Sequence, residues 1–212
     1  MPTIEQARAW YPGNDPTHNF DHIRRVYQLV ERLALAESAD LEIVSAAALL
    51  HDAQGAAPQG VETRANHHQA SADYAHEVLQ AEGWSEERIM AVQHCIRAHR
   101  FRLPVEQPQT LEAKILFDAD KLDAIGAIGV GRAIGYAVRR AQPVYALPSE
   151  KFMQTGQTEP GEPHSAYHEY VFKLIHLKER LYTPTGRGIA EERHRFMTEF
   201  FERLAAEERG DL

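Results

Sequence analysis

The stretch AAALLHD at residues 46–52 ends an apolar helical segment in an adjacent histidine and aspartate. Asp40 is suited to cap the start of this segment, because its carboxylate can accept hydrogen bonds from the first backbone N–H groups of a helix. The apolar run before His51 predicts that the segment is buried. A buried Asp52 is costly unless its carboxylate is paired or binds a metal ion. The stretch therefore predicts a buried helix with a polar site at its end.

Apolar side chains recur every three or four residues along most of the chain, which is the pattern of amphipathic helices. Outside the central segment, this pattern covers residues 19–37, 66–81, 85–99, 110–124, 167–182 and 188–208. Residues 142–163 contain four prolines and predict a long loop, either a lid or a dimer contact. No stretch alternates as a strand does. We predict an all-α helical bundle, with one domain over residues 1–212 and a C-terminal helical extension from about residue 164.

The composition narrows the classes of function. The chain has 212 residues, 23 of them basic and 31 acidic, and its net charge is −8 with histidine neutral. An acidic chain is a poor binder of nucleic-acid duplexes and of anionic membranes. Cys95 is the single cysteine, so an intramolecular disulfide and a cysteine-based zinc site are excluded. We expect a cytoplasmic protein, and its 12 histidines suggest a metal site.

Four side chains are candidates for that site. His22 lies four residues before Val26 on the apolar stripe of its helix, and Asp120 shares a stripe with Leu116. The side chains of His22 and Asp120 are therefore expected to face the interior, as those of His51 and Asp52 are. The candidate set is His22, His51, Asp52 and Asp120. Nitrogen and oxygen ligands together suit a divalent ion such as Mn²⁺, Ni²⁺, Co²⁺, Fe²⁺, Zn²⁺ or Mg²⁺. The alternative is that these polar residues pair with one another in the core.

The order of these residues resembles the HD-domain superfamily of metal-dependent phosphohydrolases, whose signature is a histidine, a His-Asp pair and a distant aspartate. Here the signature is DHIRRV at 21–26, LLHD at 49–52 and FDADKLD at 117–123. The following AIGAIGVGRA and residues 172–204 resemble a bacterial subfamily with hydrolytic activity on nucleotides. The resemblance covers about residues 18–206. It implies an all-helical bundle of the HD type whose metal ligands are His22, His51, Asp52 and Asp120.

Two further histidines are candidates for the same site. His67 is followed by Ser71-Ala72, as a histidine of the family is, and His99 lies on the stripe of Ile96. We prefer His99 to His94, which points to a different side of the helix. The resemblance implies that His67 and His99 bind a second metal ion or contact a phosphate. Buried histidines hydrogen-bonded to the backbone are the alternative. The C-terminal histidines are interpreted as surface or loop residues: His164, His168, His176 and His194.

Basic residues beside the candidate ligands are candidates for binding substrate phosphates. Arg25 follows His22 by three residues and shares its helix face, and Lys121 follows Asp120. A solvated surface position is the alternative for both. We take Arg25 first and Lys121 second as substrate-binding residues.

The leading hypothesis for function is a metal-dependent phosphohydrolase acting on a nucleotide or a related phosphate ester. The metal ion would activate a water for attack, and Asp52 or Asp120 would orient that water as a catalytic residue. The resemblance implies release of pyrophosphate from nucleoside triphosphates, with nucleoside monophosphates and dinucleoside polyphosphates as alternative substrates. Some related hydrolases carry an acidic residue three or four positions after the His-Asp pair, where this chain has Gly55 and Ala56. A non-catalytic nucleotide sensor therefore stays open. A structural scaffold is a further alternative, and a homodimer is possible.

Overall fold

A computed structural model of the chain describes residues 1–12, 20–54, 61–100 and 106–212, and for residues 61–66 it describes the backbone only. Every regular element in these ranges is helical, which confirms the all-α prediction. None of the described helices is both long enough and apolar enough to cross a membrane. The α-helices are α1 (Ile4–Ala7), α2 (Phe20–Glu37), α3 (Leu41–Leu50), α4 (Val61–Ala81), α5 (Glu86–Ala98), α6 (Leu111–Leu122), α7 (Gly126–Arg139), α8 (Glu150–Thr155), α9 (Ala166–Phe172) and α10 (Pro184–Glu208), with 3₁₀ helices at Arg8–Trp10 and Leu174–Arg180.

The described residues divide into two compact units. The first comprises Met1–Asp120 and Tyr182–Gly186, and the second comprises Lys121–Leu181 and Arg187–Leu212. A single domain over residues 1–212, with an extension from about residue 164, stays a prediction.

Helix α3 is the centre of the first unit and packs against α2, α4 and α5. Every side chain from Val44 to Leu50 is buried. A helix with apolar residues on nearly all sides is stable in water only when other helices cover it, as α2, α4 and α5 do here. Asp40 caps the helix as predicted, and its carboxylate accepts hydrogen bonds from the N–H groups of Glu42 (3.0 Å) and Ile43 (3.1 Å). The packing directs the end of α3 into the interior of this unit.

In the first unit, α4 starts earlier than predicted, whereas α5 starts at the predicted place. Helix α4 begins at Val61, five residues before the predicted start at residue 66. Ser85 precedes α5 as predicted, but its side chain makes no capping hydrogen bond. Arg88 instead forms ion pairs with Asp40 (3.1 Å) and Glu42 (2.8 Å). It therefore joins the start of α5 to the start of α3.

Helix α10 begins at Pro184, four residues before the predicted start at residue 188. The Thr183 hydroxyl accepts a hydrogen bond from the Gly186 N–H (3.0 Å) and donates one to the Asp118 carboxylate (2.7 Å). Proline fits the first position of a helix, since the N–H it lacks has no partner there. A side chain at Gly186 would place its Cβ 2.5 Å from Asp118, so a glycine is required. Pro184 and Gly186 therefore lie in the first turn of α10.

The segment 142–163 in the second unit contains helix α8 and is organised around Glu162. The Glu162 carboxylate accepts hydrogen bonds from the N–H groups of Ser149 (2.7 Å) and Glu159 (2.6 Å). These hydrogen bonds lower the pKa of Glu162 to about 2, so the carboxylate is ionised at neutral pH. The predicted loop is therefore tied to itself by one acidic side chain.

The surface prediction for His168 is wrong. His168 is fully buried on α9, and its ring lies 4.5 Å from the ring of Phe152. Burial is tolerated because both ring nitrogens have partners: Nδ1 lies 2.7 Å from the Ser165 hydroxyl, and Nε2 lies 3.0 Å from Glu162. His164 and His176 are exposed, as predicted, and His194 is partly buried.

Candidate metal centre

The end of α3 fixes the ring of His51. The last carbonyl groups of a helix have no partner within it, and His51 Nδ1 donates a hydrogen bond to one of them, the Ala48 carbonyl, over 2.8 Å. A carbonyl oxygen only accepts, so Nδ1 carries the hydrogen and Nε2 of the neutral ring presents a lone pair. This Nε2 is buried and has no hydrogen-bond partner among the described residues. His51 is thus prepared to donate a lone pair from Nε2.

The end of α5 uses the same arrangement for His99. His99 Nδ1 donates to the Ile96 carbonyl over 2.5 Å, and Nε2 lies 3.7 Å from Asp52 Oδ1. His94 points elsewhere, because its ring contacts Glu106 (2.5 Å) and accepts the Gln109 N–H (3.1 Å). The structure therefore brings His99, and not His94, to the His-Asp motif.

Asp52 lies among the histidines. Its Oδ1 atom is buried without a hydrogen-bond partner among the described residues and lies 3.4 Å from His67 Nε2. Its Oδ2 atom lies 3.8 Å from His51 Nε2. Burial alone raises the pKa of Asp52, but the surrounding histidines are imidazolium ions at the low pH where Asp52 would be protonated, and their charges hold its pKa well below the usual range. Asp52 is therefore a carboxylate at neutral pH.

His22 and Asp120 complete the cluster from α2 and α6. The His22 side chain is buried, as its place on the apolar stripe predicts, and its Nε2 lies 3.4 Å from Asp120 Oδ1. The rings of His22 and His51 are 5.5 Å apart. All six residues predicted for the metal ions, at positions 22, 51, 52, 67, 99 and 120, are therefore linked by these contacts.

The cluster contains two sets of three ligand atoms that share Asp52. One set is His22, His51 and Asp52, and the other is Asp52, His67 and His99. The atoms of each set lie within 4.8 Å of one another. Ligands of one ion are roughly 3 to 4 Å apart, because each bond measures about 2.0–2.2 Å. The spacing, the donor types and the buried atoms without partners fit a divalent metal ion, so this cluster could hold one.

The two predicted phosphate contacts have different surroundings. Arg25 is partly buried on α2, whereas its neighbour Arg24 is exposed and lies 3.5 Å from Asp21. Lys121 is buried and belongs to the second unit. Substrate binding by Arg25 and Lys121 stays a prediction.

Sequence reasoning missed Tyr11. Its hydroxyl donates a hydrogen bond of 2.8 Å to the Leu49 carbonyl, directly before the His-Asp motif. Burial and the nearby Asp52 carboxylate raise the pKa of Tyr11 well above its usual value. No periodic pattern joins positions 11 and 49, so only the folded chain reveals this contact.

Comparisons with known proteins agree with the geometry. A family model described as HD domain matches residues 19–125. The protein YpgQ of Bacillus subtilis (strain 168) is 33% identical over 208 residues, which cover 94% of this chain and 91% of YpgQ.

Solved structures give the same result. The crystal structure of Bacillus subtilis YpgQ in complex with ADP is similar with a TM-score of 0.72 at 31% identity, covering 97% of both chains. A Lactobacillus plantarum protein has a TM-score of 0.74 at 28% identity, covering 99% of this chain and 100% of the other. An HD-superfamily hydrolase from Bacillus thuringiensis has a TM-score of 0.73 at 25% identity, covering 97% and 94%.

Proposed function

This chain belongs to the HD domain family, and we propose that it is a metal-dependent phosphohydrolase acting on a nucleotide or a related phosphate ester. The observation that carries the proposal is Asp52, an ionised carboxylate common to two sets of metal-ligand atoms. A divalent ion bound there would act as a Lewis acid on a phosphoryl oxygen and activate a water. The mixed nitrogen and oxygen ligands suit Mn²⁺, Ni²⁺, Co²⁺, Fe²⁺, Zn²⁺ or Mg²⁺ as the native ion.

Each predicted residue has a role in this proposal. The ligands of the first ion are His22, His51, Asp52 and Asp120. His67 and His99 hold a second ion or contact a phosphate group. Asp52 is already ionised, so it accepts a hydrogen bond from the attacking water and is not a proton donor. Asp120 is the second carboxylate that could orient this water.

The proposed substrate is a nucleotide, and release of pyrophosphate from nucleoside triphosphates is the proposed reaction. YpgQ has been crystallised with ADP and is 31% identical in that structure, which supports a phosphorylated nucleoside as the ligand. Arg25 and Lys121 are the proposed partners of the phosphate groups, because a guanidinium or ammonium group forms strong charge-assisted hydrogen bonds with phosphate.

An assay of metal-free and reloaded protein tests the proposal. Protein stripped with a chelator is reloaded separately with Mn²⁺, Co²⁺, Ni²⁺ or Mg²⁺ and offered nucleoside triphosphates, ADP, monophosphates and a dinucleoside polyphosphate. Phosphate and pyrophosphate are measured separately. We expect metal-dependent release of pyrophosphate from a triphosphate. Phosphate from a monophosphate, or cleavage of the dinucleoside polyphosphate, would change the substrate within the hydrolase class. Nucleotide binding without turnover of any substrate would contradict the proposal and favour a sensor.

A further inference from the structure

The turn after α3 carries both His51 and Asp52, and partners of the helix-end carbonyls hold it. The Ala48 carbonyl accepts from His51 Nδ1 (2.8 Å), and the Leu50 carbonyl accepts from the Ala53 N–H (3.2 Å). Between them, the Leu49 carbonyl accepts from the Tyr11 hydroxyl (2.8 Å). Tyr11 thus satisfies one of these helix-end carbonyls from outside the motif, across a separation of 38 residues, while the Ser71 hydroxyl accepts the Gln54 N–H (3.1 Å) farther along the turn.

The N-terminal segment that carries Tyr11 is anchored in the first unit. Tyr11 is buried in an apolar cluster with Ala7, Ile23, Leu49 and Ala53. Its ring lies 6.4 Å from that of Phe20 at the start of α2, and the Trp10 ring lies 6.0 Å from that of Tyr74 on α4. The segment therefore contacts the helices that carry His22 and His67 as well as the turn that carries Asp52.

We propose that Tyr11 is a positioning residue for the metal centre, which sets the turn at Leu49 and thereby the direction of the Asp52 carboxylate. The inference rests on the proposed function only in taking the cluster as a metal site. Asp52 belongs to both sets of ligand atoms, so a change in its direction alters both sets together. Groups that orient metal ligands in this way typically contribute about 10-fold to 100-fold to metal affinity.

Tyr11→Phe removes the hydroxyl and retains the ring in the cluster. The matched control is Tyr27→Phe, since Tyr27 packs against the same cluster while its hydroxyl is directed to Glu31. Binding of Co²⁺ to the metal-free variants is followed by visible absorption, which reports the geometry of the ligands. The melting temperature of each metal-free protein is measured in parallel.

We expect Tyr11→Phe to bind Co²⁺ about 10-fold more weakly, or worse, and to shift the absorption bands. Tyr27→Phe is expected to retain the wild-type spectrum and affinity even if its melting temperature falls. Tyr11→4-aminophenylalanine restores a hydrogen-bond donor at the same place and is expected to recover the wild-type Co²⁺ affinity. If Tyr11→Phe does not fold, this variant still tests whether a donor to the Leu49 carbonyl is sufficient for Co²⁺ binding.

A wild-type spectrum and affinity in Tyr11→Phe, with only a lower melting temperature, would overturn the inference and leave the proposed function intact. Weaker Co²⁺ binding by Tyr11→Phe in a protein that hydrolyses no phosphate ester would support the inference while contradicting the proposed function. A wild-type protein that binds no Co²⁺ would overturn both.

Discussion

His99 Nε2 lies 3.7 Å from Asp52 Oδ1, although the two residues follow different helices, α5 and α3. His99 is held in this direction by its Nδ1 hydrogen bond to the Ile96 carbonyl, as His51 is by the Ala48 carbonyl. One local device, a histidine at a helix end bonded to the carbonyl three residues earlier, therefore orients two rings toward one carboxylate. Such hydrogen bonds fix the tautomer that leaves Nε2 available to a metal ion.

The first prediction separates the two histidines of α5. We expect His99→Gln to lower metal affinity at least about 10-fold, because it removes an Nε2 atom from the second set of ligands. His94→Gln is the matched control, since His94 contacts Glu106 and Gln109. Metal content after dialysis, measured by elemental analysis, is the readout. Equal loss of metal in both variants would contradict this assignment.

The second prediction concerns two adjacent arginines. Arg25→Gln is expected to raise the KM for a nucleotide about 10-fold or more with little change in kcat, because a hydrogen bond between charged groups contributes about 1.5–3 kcal/mol. Arg24→Gln, which alters an exposed residue paired with Asp21, is expected to keep the wild-type KM. If Arg24→Gln has the larger effect, Arg25 is not the phosphate contact.

Periodicity predicted α2 to α6 and α10 but predicted some of their ends poorly, and it predicted neither α8 nor the 3₁₀ helix at Leu174–Arg180. The buried stripe of His22 and the cap at Asp40 depend on nearby residues, and both predictions agree with the fold. The start of α10 depends on Asp118, which no local pattern connects to Thr183, although a threonine before a proline is itself a helix-start signal. The burial of His168 was not predicted because it depends on Glu162, which lies outside the helix that carries His168.

The third prediction tests Asp118. This fully buried carboxylate accepts hydrogen bonds from the N–H groups of Tyr182 (2.9 Å) and Thr183 (2.8 Å) and from the Thr183 hydroxyl. Asp118→Asn directs an NH₂ group at one of these donors, so we expect the free energy of unfolding to fall by about 2–3 kcal/mol. Urea denaturation measures it. Asp73→Asn, on the exposed face of α4, is expected to be near neutral, and a similar result for both variants would refute the role of Asp118.

The fourth prediction is a pH dependence in the second unit. Hydrogen bonds from Glu159 N–H and Ser149 N–H lower the pKa of Glu162 from 4.5 to about 2. Because the folded-state pKa is the lower one, the stabilisation is present above pH 4.5 and is lost as the pH falls through about 2. We expect Glu162→Gln to melt at a lower temperature at neutral pH and to lose less stability on acidification than the wild type.

Glu159→Gln is the control for this pH dependence, because it leaves the backbone N–H of residue 159 in place. Its melting temperature is expected to follow the wild-type curve from neutral pH to pH 2. Parallel curves for Glu162→Gln and the wild type would show that Glu162 does not carry the effect.

The central claim is that Asp52 serves a metal centre that hydrolyses phosphate esters, and Asp52→Asn tests it most directly. The measurement is kcat/KM for the best nucleotide substrate, in the presence of the activating ion, for the wild type, Asp52→Asn and the surface control Asp73→Asn. We predict a loss of more than about 100-fold in Asp52→Asn, together with loss of bound metal, and wild-type values in Asp73→Asn. Wild-type turnover by Asp52→Asn would contradict the account.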